Sequence, residues 1–198
     1  MKLFLDVGAH HGETARVALE PEFGFDRVCC FDPDPCSWGY LEQLMRDDAR
    51  VQAYPFGLWN QNLTVPIYGT GRVGCTLFAD KPVGRRDRVG EGVFVKASDW
   101  FASNVQDGDY VIGKCNCEGA ECAILDNLMD YGWLSKFHAL YVDFDVRKIP
   151  SQQHRQAEVL ARILRQHPIP LIVGPEDIPG LTHQENVRHW LRLVGVSA

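Results

Sequence analysis

The sequence predicts an α/β protein built on a doubly wound, mostly parallel sheet, with a small added hairpin and a trimmed C-terminal part. Three observations carry that prediction. Apolar runs of about five residues alternate along the chain with segments whose apolar side chains recur every three or four positions, as strands interleaved with amphipathic helices do. Two of the runs, at Leu3–Val7 and Tyr110–Lys114, break into a glycine-containing turn and resume as a helix. An acid, Asp32, ends the second run, about 20 residues beyond the first glycine turn, the place from which a doubly wound sheet presents a carboxylate to a ligand. At 198 residues the chain has the size of one domain, 1–198.

The first strand, Leu3-Phe4-Leu5-Asp6-Val7, is too short for a helix and ends at Gly8. Gly8 and Gly12 lack a Cβ, so the turn between them can take unusual dihedrals or let a ligand come close. A helix follows from Glu13 to Leu19, with Thr14 in a first turn whose free N–H groups can hold a polar group. A dinucleotide fingerprint would need glycine where Asp6 stands. A carboxylate there repels a pyrophosphate and suits a ligand whose head carries an ammonium and a sulfonium. After the break at Glu20–Gly24, Arg27–Phe31 reads as a second buried strand, ending in Asp32-Pro33-Asp34-Pro35. The prolines fix the turn, and Asp32 is placed to accept both hydroxyls of a ribose, the alternative being a helix cap in a surface turn.

Ser37 to Asp48 has helical spacing through Trp38, Leu41, Leu44 and Met45, and Val51–Tyr54 is a third strand. Leu63–Tyr68 and Val93–Lys96 suit the added hairpin. Between them, Gly69–Gly92 holds six glycines and the cluster Arg72, Lys81, Arg85, Arg86 and Arg88. Such a segment is either a solvated loop or a lid whose arginines, Arg72 and Arg85 among them, grip an anionic substrate. Ser98 is placed to cap a short helix. Asp109–Lys114 is the next strand and Cys122–Met129 its helix. Lys136–Asp145 is a fifth core strand with Asp143 and Asp145 at its tip. A helix from Pro150-Ser151 to about Arg165, an edge strand at Ile169–Val173 and a helix over Thr182–Val194 complete the chain.

Asp6-Val7-Gly8-Ala9-His10-His11-Gly12 resembles the first motif of class I S-adenosylmethionine-dependent methyltransferases, in the Asp-Val-Gly-Ala form of the FkbM family. Lys114, Glu118, Gly119, Ala120 and Glu121 match that family's Lys-x-Asp-x-Glu-Gly-Ala-Glu signature, and Asp32 matches its Phe-Glu-Pro acid. The resemblance spans roughly Leu3 to Asp145. It implies a Rossmann-like methyltransferase fold and S-adenosylmethionine held by Asp6, Gly8, Ala9, His11, Gly12, Thr14, Asp32, Phe56, Gly57 and Asn116. Phe56 and Trp59 follow the third strand, where such enzymes wrap the adenine; stacking on a ligand and burial in the core are both open to them. Arg72, Arg85, Trp59 and Glu121 are the expected substrate contacts. One departure matters: Asn116 stands where the signature has Asp, and an amide hydrogen-bonds a substrate or an ammonium but takes no proton.

A formal charge of −6 argues against nucleic-acid binding. No apolar run approaches the roughly 20 residues of a membrane span, and the first residues do not resemble a signal peptide, so the expectation is a cytoplasmic protein with no membrane partner. Seven cysteines without Cys-x-x-Cys spacing do not suit a disulfide framework or a zinc ribbon. Cys115, Cys117 and Cys122 read as buried thiols, and no metal set is expected.

The reaction implied is methyl transfer to a hydroxyl of a small molecule or sugar precursor, which requires in-line positioning and a base. Candidates are Glu118, His10 and Asp143, with His11 beside them; histidine titrates near neutrality, though both histidines also suit exposed turn positions. A nicotinamide-dependent oxidoreductase and a non-catalytic cofactor- or partner-binding relative are the competing classes. Substrate identity and homo-oligomerisation are not legible in the sequence.

Overall fold

A computed structural model describes residues 1–82, 88–166, 169–174 and 178–197. Its core is a six-stranded parallel sheet formed by β1 (Lys2–Val7), β2 (Arg27–Phe31), β3 (Val51–Tyr54), β7 (Tyr110–Cys115), β8 (Phe137–Asp143) and β9 (Leu171–Gly174), in the order β3-β2-β1-β7-β8-β9. This is the α/β doubly wound fold expected. Strand order reverses between β1 and β7, so a crevice opens beyond their carboxyl ends, where such sheets bind ligands.

The alternation of side chains along a strand explains the two layers. Leu3, Leu5 and Val7 point to one face, with α3 (Ala97–Asn104), α4 (Glu121–Asp130) and α5 (Arg155–Gln166) packed over it through Trp100, Phe101, Leu125, Leu128, Val159 and Ile163. Phe4 points to the other, beneath α1 (Glu13–Ala18), α2 (Trp38–Asp47) and α6 (His183–Leu193), among Phe25, Val28, Leu41 and Trp190. The Phe4 ring lies 5.2 Å from Phe25 and 6.3 Å from Trp190, so it joins the sheet to the C-terminal helix.

The added unit is a second sheet, β4 (Gly57–Trp59), β6 (Val89–Lys96) and β5 (Leu63–Tyr68) in the order β4-β6-β5. β5 and β6 form the expected antiparallel pair, Thr64 opposite Val93, and β4 joins β6 in parallel. Gly57 is therefore a strand residue: a Cβ there would sit 2.6 Å from the Phe94 ring. Three local expectations are corrected. α3 starts after Lys96, so Ser98 lies inside the helix, its N–H donating to Asn127 Oδ1 at 2.8 Å. β8 ends at Asp143, and Asp145–Lys148 turns off as a single 3-10 turn. α5 begins at Arg155, later than the proline signal suggested. Among the described residues no helix is long and apolar enough to cross a membrane.

Phe4→Ala is expected to lower unfolding stability by about 3–5 kcal/mol, since it empties a site between Phe25 and Trp190, whereas Leu164→Ala on the exposed face of α5 should change it by less than about 0.5 kcal/mol. Chemical denaturation of both variants checks this; equal losses would contradict the packing described.

Candidate functional site

A cavity of about 400 Å³ lies at the switch point, walled by the turns after β1, β2 and β7, by Leu58, Ile67 and Phe94 of the small sheet, and by residues 72–77. Its size falls within the range of small-molecule and cofactor pockets, roughly 300–1,000 Å³. The segment from Gly69 onward thus crosses the crevice. Gly71 N–H donates to Asp34 Oδ2 at 2.6 Å, and Thr76 Oγ1 donates to the Glu118 carbonyl at 2.6 Å, fastening it at both walls. Arg72 lines the cavity; Arg85 lies outside the described residues.

The floor is organised by a buried ion pair. Asp6 is inaccessible to solvent, and Lys114 Nζ, from the neighbouring strand, stands 3.1 Å from its Oδ1 and donates to the Gly8 carbonyl at 2.8 Å. Burial raises the Asp6 carboxyl against the pull of Lys114. Lys114 is itself held above its usual range, burial being outweighed by Asp6. Asp6 does not reach the wall; Lys114 does. The charge expected to face a cationic ligand is instead neutralised beneath the floor.

The glycine turn is shaped by its own packing. Gly8 has φ +83°, and a Cβ on it would meet the Asn116 carbonyl oxygen at 1.9 Å, so here the close approach is to protein backbone. The N–H groups of Gly8 and Ala9 both donate to Phe31 O at 3.0 Å, and Gly12 N–H to Ala9 O at 2.7 Å. Gly12 sits against Leu44 rather than in the cavity wall. α1 is only six residues long, and Thr14 Oγ1 in its first turn is bonded to His183 Nε2 at 3.0 Å. His183, from the far end of the chain, also lines the cavity, which no local motif signalled.

Asp32 lies in the wall and holds the turn across from it: Oδ2 accepts from His10 N–H at 2.7 Å and Oδ1 from Asp34 N–H at 2.9 Å. Burial is the main reason its carboxyl is raised, against those two backbone bonds. His10 lines the cavity with φ +49°, and its Nδ1 is 3.3 Å from Glu13 Oε1. That contact raises the imidazole above its ordinary value, burial opposing. His11 stacks between His10 (3.7 Å) and Tyr40 (3.8 Å), away from the wall. The ligand atoms of His10, His11 and Glu13 lie within 4.8 Å of one another. The two imidazoles are near-parallel, at 17°, so their in-plane lone pairs do not converge on one ion.

The opposite wall is the turn after β7. Asn116 Oδ1 is buried with no hydrogen-bond partner among the described residues. Glu118 lines the wall with φ +58° and forms an ion pair with Lys81, which is 4% exposed. Behind it, Asp145 is within 3.5 Å of Lys81, 2.7 Å of Lys148 and 3.2 Å of Arg147. Burial, then Asp145, push the Glu118 carboxyl up to about 7 against the pull of Lys81. Burial also acts to raise Asp145, but Glu118, Lys148 and Lys81 together hold it below its usual value. The two carboxyls titrate as one coupled pair, Glu118 raised and Asp145 lowered.

Four further expected site residues, besides Asp6, His11 and Gly12, lie off the wall with evident duties elsewhere. Glu121 is completely buried and accepts from Cys117 N–H at 3.0 Å and Gly119 N–H at 3.1 Å, clamping the turn; burial lifts it to about 7 despite those bonds. Asp143 is paired with Arg147 Nη1 at 2.6 Å. Phe56 packs with Phe31 and Tyr54, and Trp59 with Phe78 and Phe94, both against the core.

The sheet order and the crevice define a Rossmann-like α/β fold. A solved structure of methyltransferase FkbM from Methylobacillus flagellatus is similar to this chain with a TM-score of 0.52 and 17% identity, over 84% of this chain and 38% of that one. At that identity the likeness concerns the fold, and the chain spans well under half of the neighbour's length. No family model matches the sequence, and no curated protein does.

Lys114→Met is expected to destabilise the protein by about 3–5 kcal/mol at neutral pH, because it strands the Asp6 carboxylate. Stability should recover as pH falls below neutrality toward the ordinary carboxylate range, since folded Asp6, already raised by burial, takes up a proton that the unfolded chain does not. Denaturation across that range checks the sign; a variant that weakens further toward acid would contradict the arrangement.

Proposed function

We propose that this chain binds S-adenosylmethionine in the crevice and methylates a hydroxyl of a small molecule or sugar precursor. The observation that carries the reading is the pairing of Asp32 on one wall with Asn116 on the other, across a cavity of cofactor size, the Asn116 Oδ1 being buried without a partner among the described residues. Asp32 retains lone pairs for ribose hydroxyls, and Asn116 Oδ1 needs a donor such as an ammonium. A nicotinamide dinucleotide fits poorly, because the Gly8 and Ala9 N–H groups that would face a pyrophosphate are bonded to Phe31. The solved methyltransferase with the same fold points the same way.

When bound, the cofactor supplies an electrophilic methyl on a sulfonium, so the chemistry left to the protein is alignment and proton removal. Glu118 is our base. It faces the cavity, and once its proton leaves, Lys81 stabilises the carboxylate. Arg72 at the mouth suits an acceptor carrying negative charge. His10 is the second group able to take a proton in the wall. Asp143 is not, being engaged by Arg147.

The same Lys81–Glu118 contact favours a second reading, a cofactor-binding relative without turnover, because a base held by a lysine is poorly placed to move. Calorimetry with S-adenosylmethionine, S-adenosylhomocysteine and a nicotinamide dinucleotide separates the classes. Binding of the first two but not the third is expected, with Asp32→Ala weakening it about 10-fold or more. Equal affinity in the variant removes Asp32 from the site, and no adenosyl binding ends the methyltransferase reading. With an acceptor in hand, Glu118→Gln should bind cofactor within about twofold of the parent yet lose about 10²–10⁴ in turnover. The parent's turnover should rise with pH through about 7 as the Glu118–Asp145 pair loses its proton. An unchanged rate in the variant, or a flat profile in the parent, discards Glu118 as base.

A further inference from the structure

Cys115 and Cys117 belong to no part of the scheme above, yet their sulfurs touch. Cys115 is the last residue of β7 and 2% exposed; Cys117 is half-buried and lines the cavity. Cys117 follows two residues later, just past the strand's end, and Sγ of one lies 3.5 Å from Sγ of the other. Closing that gap to a disulfide requires the sulfurs to approach by about 1.5 Å, a movement side-chain rotation can supply. The backbone between them is pinned by Asn116 N–H to Val7 O at 3.0 Å and by the Gly8–Asn116 packing. A bond between residues only two apart closes a very small ring on a backbone held at Asn116, so the bond formed is one that small thiols readily reverse.

We propose that Cys115 and Cys117 are a reversible oxidation site, in which a small disulfide entering the crevice converts the two thiols to an intramolecular disulfide beneath Asn116. Cys117, the one of the two that lines the cavity, loses its proton to solvent, and its sulfur attacks one sulfur of the reagent, R–S–S–R. The reagent's S–S bond breaks and one thiolate leaves. The Cys115 sulfur then attacks the Cys117 sulfur, a second thiolate leaves, and the two thiolates end as two R–SH. The protein loses two electrons and two protons, one from each of Cys115 and Cys117; the reagent gains them. Burial raises the Cys117 thiol well above its ordinary value, through desolvation first and Cys115 and Glu121 after, against Lys114, so exchange is slow at neutral pH and quickens as pH rises. Cys29 and Cys30 are buried within the sheet, and Cys36 and Cys75 lie at the far wall beside Asp34.

The consequence falls on Asn116, which the new ring encloses. Under the cofactor reading above, oxidation weakens adenosyl binding; the disulfide itself does not depend on that reading. The test treats the full chain with hydroxyethyl disulfide, alkylates the remaining thiols and maps the digest by mass spectrometry. The expected product is a Cys115–Cys117 peptide lacking two hydrogens and unalkylated, restored by dithiothreitol and forming faster at higher pH. In Cys115→Ser, Cys117 should stop at the mixed disulfide with the hydroxyethyl group. Full alkylation of both cysteines in the treated parent, or a parent that itself stops at the mixed disulfide, overturns the proposal. The parent's peptide map decides the matter even where a variant fails to fold. Loss of the map product with adenosyl binding intact condemns this inference alone, and the reverse result condemns only the cofactor reading.

Discussion

The pairing of Asp6 with Lys114 is the contact on which the crevice depends. It sits where the strand order reverses, and its lysine reaches across to the Gly8 carbonyl, so the turns after β1 and β7 are set relative to each other by one ammonium. A buried ion pair is seldom more stabilising than an apolar pair of the same volume, because both partners lose their hydration. What it supplies is position. An apolar pair would fill the space but leave the Gly8 carbonyl without a donor, and the contact between Gly8 and Asn116 would lose its registration.

The same device recurs around the rim. Asp32 holds the β1 turn to the β2 tip, Asp34 holds residue 71 of the segment crossing the cavity, and Glu121 closes the turn after β7 on itself. Each carboxylate accepts backbone N–H groups that a loop at a sheet's end would otherwise leave unsatisfied. Motif acids at such places therefore have two duties, and Glu121 shows that the structural one can take up the whole side chain. Asp32 remains available to a ligand because its oxygens each accept a single bond and it stays in the wall.

This division explains what was legible in the sequence. Strand and helix periods are local, and a run such as Leu3–Val7 can only be a strand buried on both faces, so the sheet and both helical layers could be read directly. The turns could be located, since Gly8, Asp32 and Gly119 mark them, but what each side chain faces depends on partners distant in the chain. Thr14 meets His183, 169 positions away, and Glu118 meets Lys81 from a glycine-rich segment that has no period to read. Asp6 was legible as an acid in the right turn and misread in orientation, because nothing local says that Lys114, on the adjacent strand, neutralises it. Trp59 and Phe56 could be stacking platforms or core by composition alone; the neighbouring small sheet, with Phe94 and Phe78, decides for the core.

Asn116 becomes intelligible once the charges around it are placed. Asp32 and Glu118 in the wall and Glu121 behind it are each driven toward the neutral form by burial, while Glu118, Lys148 and Lys81 hold Asp145 below its usual value. Lys114, the remaining cation of the floor, is committed to Asp6. An aspartate at 116 would add a carboxylate to a crevice already lined with acids, and it would either take a proton or raise Glu118 further. The amide keeps an acceptor oxygen in the wall without the charge. Asn116 thus keeps a proton acceptor out of this position while Glu118 titrates near neutrality.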